Sequence, residues 1–512
     1  MSPLERASNT SEKIIYISLL LIVALYLIKN ITLFYLQKYQ ANVLARYNEN
    51  LTNEIYKKYL DQPLKNLMQY NTSFLSRNIV EVTNQFSNNF LQSIISSITE
   101  ITLLIGILTI LIFTEPFFTI VAFIIILPTG LLIYQLNKKK LFEAGKQSKF
   151  HWGERLKQIQ QTFGGILEVK SFSKEKSFFE KFKLHNKIIA DVSIKLSVIN
   201  IMPKLIFEFL IILIICSGIF FLTKINYNLI DTIPIIGLFS YAFIRITPSL
   251  NRILVNMQRI RYSMPILEEI YYIKTYLLND DNKNLSPILF NKNIKINNIE
   301  HEFTKSDPIF SNLNFQIEKN KMIGIFGESG SGKTTFLKIL LGLIKPSKGD
   351  ILSDDLSIFN NVKSWQSKIG YVPQNVYIMD ESLKSNIALG VEDKSINLEK
   401  LNEVIKKTNL ENFVNSLPNG QTTILGETGQ RISGGQKQRI GIARALYTSP
   451  ELLILDESTS NLDDDTEKQI LNELKMIKSK LTIIIVSHRS TIKNYCDQMY
   501  KLYNKKIMVE KK

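Results

Sequence analysis

The sequence predicts an all-α polytopic membrane domain with five spans, followed by an α/β phosphate-loop domain. Three observations carry this. Five apolar stretches fall in the first half of the chain. In the second half the glycine-rich segment Gly327-Glu328-Ser329-Gly330-Ser331-Gly332-Lys333-Thr334 stands between a short apolar run and a helical one. A mean hydropathy of +0.03 is high for a chain with 21% charged residues, which implies that apolar and polar sequence are segregated.

The apolar stretches run from Ile14 to Ile28, Ile101 to Thr114, Phe117 to Leu136, Phe209 to Leu222 and Ile233 to Ile244. A span needs about 20 mostly apolar residues. The third reaches that length alone and the others reach it with their weakly polar flanks. Buried helices of a soluble core would account for one such stretch but poorly for five. The first is not a cleavable signal, because no small-residue cleavage site follows it and Lys29 leads into further apolar sequence. The segments 37–88 and 138–200 are long, polar and helical in pattern, and the second opens with Lys138-Lys139-Lys140. The positive-inside tendency places both in the cytoplasm. The last span then leaves the membrane on the cytoplasmic side, where the following domain meets ATP. A polar run of Asn, Asp, Lys and Ser divides the chain into a membrane domain (1–278), a linker (279–287) and a nucleotide-binding domain (288–512).

The formal charge of +16 and pI of 9.4 fit an anionic membrane surface. No zinc knuckle, helix-turn-helix or aromatic RNA-binding pattern accompanies the charge, so nucleic acid is not an expected partner. Two cysteines, Cys216 and Cys496, make no disulfide framework.

Met322 to Phe326 is expected to be a buried strand, and Thr335 to Leu341 has helical periodicity. Between them the glycines let backbone N–H groups close around phosphates at a helix N-terminus. Lys333 is expected on the β- and γ-phosphates, with the Thr334 hydroxyl on Mg²⁺ and Thr335 beside it. A second strand, Leu452 to Leu455, ends in Asp456-Glu457. Asp456 is placed to hold Mg²⁺, and Glu457 to act as general base on the attacking water.

Ile432-Ser433-Gly434-Gly435-Gln436 resembles the signature of ABC-transporter ATPases, with Ile in place of the usual Leu. By the same resemblance Gln374 is the Q-loop glutamine, reaching both Mg²⁺ and the reacting centre. Ser460-Asn461-Leu462-Asp463 is the D-loop, and His488 is the switch histidine. Phe303 stands where the family stacks an aromatic on adenine, and Gly426-Glu427-Thr428-Gly429 resembles the exporter-specific loop. The resemblance implies a head-to-tail pair of cassettes, in which Ser433 and Gly435 of one contact the γ-phosphate held by Lys333 of the other. One chain carries one cassette, so a second half-transporter chain is required, and an identical one gives a homodimer with two hydrolysing sites.

Membrane half first and cassette second is similar to a half-size ABC exporter, and Gln62 to Ile79 and Val169 to Phe182 sit in the two long segments where that family has its coupling helices, the alternative being simply solvated amphipathic helix. Such chains usually have six spans, and by the resemblance Ile14 to Tyr35 corresponds to the second, leaving the first missing. Charges near the spans bear on cargo, since each costs about 2.5–3.5 kcal/mol at mid-membrane. They are Lys29, Lys204, Arg245 and Arg252. Arg245 and Arg252 are seven apart, which at about 100° per residue returns them to one helix face, with Pro248 bending the helix between them. They suit a phosphate or pyrophosphate headgroup. Against this, Arg252 could simply be solvated, Arg245 could snorkel, and Lys204 could pair with Glu208 four residues on.

The segment Ile14 to Tyr272, with its Arg-x-x-Pro-Ser-x-Asn-Arg run, resembles bacterial lipid-linked oligosaccharide flippases, with Lys in place of Arg at positions 29 and 204. The resemblance implies ATP-driven flipping of a polyprenyl-pyrophosphate-linked sugar across the bacterial inner membrane, with the cassette in the cytoplasm. The alternatives are a general exporter of lipids, peptides or drugs, and a truncated chain with ATPase but no transport activity.

Overall fold

A computed structural model describes residues 3–224, 229–276, 286–302, 308–328, 330–426, 432–458, 464–488 and 490–510. The chain divides into two compact units, Met1–Gln62 with Asn66–Asp280, and Asp281–Lys512 with Pro63–Lys65.

The first unit is helical: α1 (Pro3–Leu60), α2 (Gln92–Thr114), α3 (Pro116–Gly164), the short α4 (Ile166–Ser171), α5 (Glu175–Lys224) and α6 (Leu229–Tyr276). Each apolar stretch of the sequence lies inside one of the long helices. Among the described residues four segments are long and apolar enough to cross a membrane: Lys13–Leu60, Thr72–Thr114, Thr119–Gly164 and Glu175–Phe220. Helix α6 runs through the fifth stretch, Ile233 to Ile244, where several side chains lie outside those described, and it continues through Pro248.

The helices far outrun the spans. At 1.5 Å per residue α3 is roughly 70 Å long, more than twice a bilayer's hydrocarbon thickness. The polar segments that follow the apolar runs are therefore mostly continuations of the same helices. Thr72 to Leu91 is helical too, with π turns at Arg77–Val82 and Phe86–Leu91. The cause is apolar residues that keep helical spacing beyond the membrane. Leu51, Ile55 and Tyr59 of α1 pack with Val82 and Phe86 and with Ile266, Ile270 and Ile273 of α6. A second cluster ties the apolar parts of α2, α3, α5 and α6 together through Leu104, Ile126, Phe207 and Phe243. By contrast the apolar side chains of α1 from Ile14 to Leu36 are exposed, a surface fit for lipid or another protein.

The α3–α6 crossing depends on one glycine. A Cβ at Gly145 would lie 2.1 Å from the Tyr262 carbonyl oxygen.

The second unit holds two sheets. Strands β1 (Asn293–Glu302), β2 (Pro308–Glu318), β4 (Lys348–Ser353) and β5 (Leu356–Ser357) form an antiparallel sheet in the order β2-β1-β4-β5. The other has the order β10-β9-β3-β8-β7-β6. Its strands are β3 (Met322–Gly327), β6 (Ile369–Val372), β7 (Leu452–Asp456), β8 (Thr482–Val486), β9 (Gln498–Tyr503) and β10 (Lys506–Glu510). All neighbours from β9 to β6 are parallel. Both faces of β7 and β8 are buried, which is why they read as unbroken apolar runs. Helices α7 (Lys333–Leu340), α8 (Leu398–Lys407), α9 (Gly434–Tyr447) and α10 (Asp464–Ile477) accompany the sheets.

Gly145→Ala is expected to lower the melting temperature of the purified chain, by an overpacking cost of roughly 1–3 kcal/mol. Gly106→Ala is the control, because nothing lies within 4 Å of its added methyl. Equal melting temperatures for the two variants would show that the crossing has slack.

Candidate functional site

Parallel strands end on a common edge, and that edge gathers the polar groups. The register pairs Ile325 of β3 with Val486 of β8, Val486 with Asp456 of β7, and Leu455 with Val372 of β6. Whatever follows these strands must therefore meet. The phosphate loop follows β3, Gln374 follows β6, Glu457 follows β7 and His488 follows β8.

Glu457 is the centre of the resulting cluster. Gln374 Nε2 donates to its Oε2 at 2.8 Å, and His488 Nδ1 lies 3.3 Å from its Oε1. Lys333 Nζ is 3.8 Å from the same oxygen. The residue sits at φ +48°, a left-handed conformation that costs a glutamate of order 1 kcal/mol or more. The bond from its N–H to the Val486 carbonyl holds it there, at 2.9 Å.

The phosphate loop is already shaped. Gly330 and Gly332 have φ of +82° and +96°. A Cβ on Gly332 would also meet Ile309 and Phe310 at 2.7 Å, so two independent constraints require glycine there. Lys333 is buried, and its ammonium donates to the carbonyls of Gly327 (2.8 Å) and Glu328 (3.0 Å). The Ser331 hydroxyl is buried without a partner, as an orphan that a phosphate oxygen would satisfy. Ser329 lies outside the described residues.

Asp456 is buried, and Tyr371, two residues before Pro373, donates its hydroxyl to Oδ2 at 3.3 Å. Burial raises the Asp456 carboxyl above the ordinary aspartate range, opposed by the Tyr371 hydrogen bond. Burial and the neighbouring Asp456 charge raise the Tyr371 phenol in turn. A divalent cation beside bound nucleotide would find oxygen donors in Thr334, Gln374 and Asp456. Thr334 is exposed in the first turn of α7, the Gln374 amide nitrogen is committed to Glu457, and Tyr371 occupies one Asp456 oxygen. An all-oxygen set of this kind suits a hard cation.

The signature segment has its own local order. Ser433 caps α9 in a reciprocal capping box: its hydroxyl accepts from Gln436 N at 3.3 Å, and Gln436 Oε1 accepts from Ser433 N at 2.9 Å. Gln436 thus builds the helix start, which leaves Ser433 and Gly434 exposed at the N-terminus with Gly435 half-buried. Arg444 on the same helix reaches the Asn386 and Tyr377 carbonyls at 2.8 and 3.0 Å, tying α9 to the segment after Gln374. Phe303, Asp463 and most of the exporter-specific loop lie outside the described residues.

In the helical unit the four basic candidates divide. Arg252 Nε lies 2.6 Å from Glu100 Oε1, and its Nη2 donates to Oε2 at 3.1 Å. Lys204 sits 3.8 Å from Glu208, so the pairing alternative is realised. Both line a cavity of ≈ 690 Å³ between α5 and α6, with Phe243, Thr247 and Asn251. Lys29 and Arg245 are not among its lining residues. The Lys29 ammonium lies over the Tyr26 ring, 4.7 Å from its centroid, and the Tyr26 and Tyr241 hydroxyls are 3.4 Å apart.

Tyr371→Phe removes the contact that restrains the raised Asp456 carboxyl. Its pKa is then expected to rise further, so protons compete with cation binding at higher pH. Mg²⁺-dependent nucleotide binding is expected to fail at a higher pH on acidification than in the unsubstituted protein, with affinity near neutrality reduced by a factor of about five or less. Titration of fluorescent nucleotide binding from pH 8 downward checks this, and an unmoved acid limb would separate Tyr371 from Asp456.

Comparison with known proteins agrees with the two-part architecture. Residues 4–246 match the ABC transporter transmembrane region and residues 310–460 the ABC transporter model. An export ATP-binding/permease protein of Rickettsia bellii is 27% identical over 95% of this chain and 84% of its own length. An ATP-dependent lipid A-core flippase of Bordetella avium is 37% identical over 39% of this chain and 34% of its own. In further curated relatives the chain likewise spans less than half of the relative's length, from 15% to 44%. The fold matches the structure of a bacterial Atm1-family ABC exporter with ATP bound, with a TM-score of 0.80 and 22% identity over 91% of this chain and 82% of that one. The chain belongs to the ABC transporter family, with a helical exporter domain fused to an ATP-binding cassette.

Proposed function

We propose that this chain hydrolyses ATP, with Mg²⁺, to drive an anionic lipid-linked amphiphile across the bacterial inner membrane. The cargo we favour is a polyprenyl-pyrophosphate-linked oligosaccharide or related lipid-linked glycan, and the working unit is a pair of identical chains. The observation that carries the hydrolytic part is the convergence of Gln374, His488 and Lys333 on the Glu457 carboxylate.

Lys333 exchanges the Gly327 and Glu328 carbonyls for β- and γ-phosphate oxygens of entering ATP. The N–H groups of the loop and the Ser331 hydroxyl take further phosphate oxygens. Mg²⁺, when bound, draws off the negative charge that builds on the phosphate oxygens. A water in line with the γ-phosphorus attacks, the bond to the ADP oxygen breaks, and the water's proton passes to Glu457. Gln374 and His488 orient that carboxylate, and His488 also faces the γ-phosphate. The exposed N-terminus of α9 in the partner chain, with its Ser433 hydroxyl and Gly435 N–H, closes the site from the other side.

The cargo reading is supported by Lys29 and Arg245, basic residues at the apolar parts of their helices for which, among the described residues, no ion pair with a carboxylate is seen. The flippase among the relatives adds to it. A general exporter of peptides or drugs is the second reading, favoured by the export protein that aligns along nearly the whole chain.

Glu457→Gln is expected to cut ATP turnover at least about 100-fold while nucleotide binding persists. Ordinary turnover in that variant would remove Glu457 from the role of base. For cargo, ATPase activity of the reconstituted chain is measured with lipid-linked oligosaccharide and with a panel of peptides and drugs. Stimulation by the glycan lipid alone is expected, and stimulation by a peptide alone would favour the second reading.

A further inference from the structure

We infer that His151 and Glu154 of α3, with His185 of α5, form a site for one divalent transition-metal ion, which on binding joins the two helices. The site is separate from the nucleotide and from the cargo. It lies roughly 20 Å along α3 beyond Lys138, in the segment that the positive-inside tendency places in the cytoplasm.

The chain has four histidines, and two of them meet. His151 Nδ1 and His185 Nδ1 stand 2.9 Å apart, although the residues are 34 apart in the chain and belong to different helices. Their ring centroids are 5.2 Å apart and their planes 42° to one another, so the rings meet tip to tip. One ring donates its N–H and the other accepts, so the ligating edges of two imidazoles already face one another. Both rings are half-buried, open to an ion from water yet held by their surroundings. One turn along α3, Arg155 Nη1 donates to the Asn186 side chain of α5 at 3.1 Å, which fixes the two helices beside the pair.

A carboxylate completes the donor set. Glu154 follows His151 by one turn on the same face of α3, and its charge acts on that ring. In the structure it turns to Lys157 at 3.3 Å, an i,i+3 pair at the surface that is worth little and exchanges readily. Among the described residues no three His, Cys, Asp or Glu side chains close on one point as they stand, so the carboxylate is recruited by rotation as the ion arrives. Two imidazoles and one carboxylate suit a first-row divalent ion, with water in the remaining positions. Mg²⁺ prefers a shell of oxygens and is not expected there. Bonds of about 2.0–2.1 Å place neighbouring ligand nitrogens roughly 3 Å apart, so the rings need only turn toward the ion. The donating ring carries its proton on Nε2 instead of Nδ1, a change of tautomer with no net loss of a proton. Helices α3 and α5 carry α4 between them, so the bound ion staples the two arms of that hairpin.

The test is titration of the purified full chain in neutral detergent with Co²⁺, read by tryptophan fluorescence and by visible absorption. Trp152 adjoins His151, and the other tryptophan, Trp365, is fully buried in the second unit. Saturable quenching by one Co²⁺ per chain is expected. It should be absent in Trp152→Phe, reversed by Zn²⁺, and untouched by excess Mg²⁺. His151→Gln and His185→Gln are each expected to weaken Co²⁺ binding by at least about tenfold, and Glu154→Gln by a smaller factor. Lys157→Gln releases Glu154 and is expected to tighten binding, a gain that misfolding cannot produce. Zn²⁺ should raise the melting temperature of the unsubstituted chain and leave that of His185→Gln unmoved. No saturable quenching in the unsubstituted chain, or equal quenching in both histidine variants, would overturn the site. Displacement by Mg²⁺ would put the Co²⁺ on oxygen ligands elsewhere and overturn it too. Full affinity in Glu154→Gln, with loss in the histidine variants, would remove the carboxylate from the assignment.

Discussion

Parallel pairing of β3, β8, β7 and β6 is the constraint from which the nucleotide site follows. Each strand runs the same way, so the residue after each strand's last pair lands on the same edge. Gln374, Glu457 and His488 are far apart in the chain, yet the register leaves them little choice but to meet. The left-handed turn at Glu457 belongs to the same constraint. It bends the chain as soon as β7 ends and aims the carboxylate back over the edge. The local strain is offset by the sheet bond from Glu457 N to Val486 and by the buried strands on either side.

The same division between rigid support and presented chemistry recurs around α9. Its capping box fixes the helix start without using outside partners. Arg444, held by two carbonyls, connects the helix body to the segment that follows Gln374. Burial holds its guanidinium below the usual arginine range, although its hydrogen bonds keep it well satisfied. Movement of the Gln374 segment is thereby linked to the helix that carries Ser433. Under the roles proposed for Gln374 and Ser433, this contact gives a route from the glutamine to the surface offered to a second cassette.

What was legible in the sequence is what chemistry fixes at short range. Lys333 and Thr334 must follow their glycines, and Asp456-Glu457 must follow a buried strand, so spacing alone finds them. The apolar runs were legible for a similar reason, since thickness of the bilayer sets their length. The contacts that were not legible join distant residues. Arg252 and Glu100 are 152 residues apart, and Tyr26 and Tyr241 are 215 apart. Nothing in local periodicity announces either pair. Tyr371 was hidden differently: it lies beside Gln374 in the chain, but its role depends on Asp456 in the neighbouring strand. The long helical continuations past the membrane were visible as helical pattern. Their unbroken union with the spans was not, because polar composition masks the buried stripe of Leu51, Ile55 and Tyr59.

The folded-back position of Lys333 has a kinetic meaning. With its ammonium already bound to the Gly327 and Glu328 carbonyls, the loop carries an internal surrogate guest. Under the role proposed for Lys333, nucleotide entry is a substitution in which one set of oxygens displaces another on the same cation. Departure is the reverse, with a successor waiting a few ångströms away. The lysine thus flattens the difference between the filled and vacant loop. The net gain on nucleotide binding is smaller for it, which favours release in an engine that must reload every cycle.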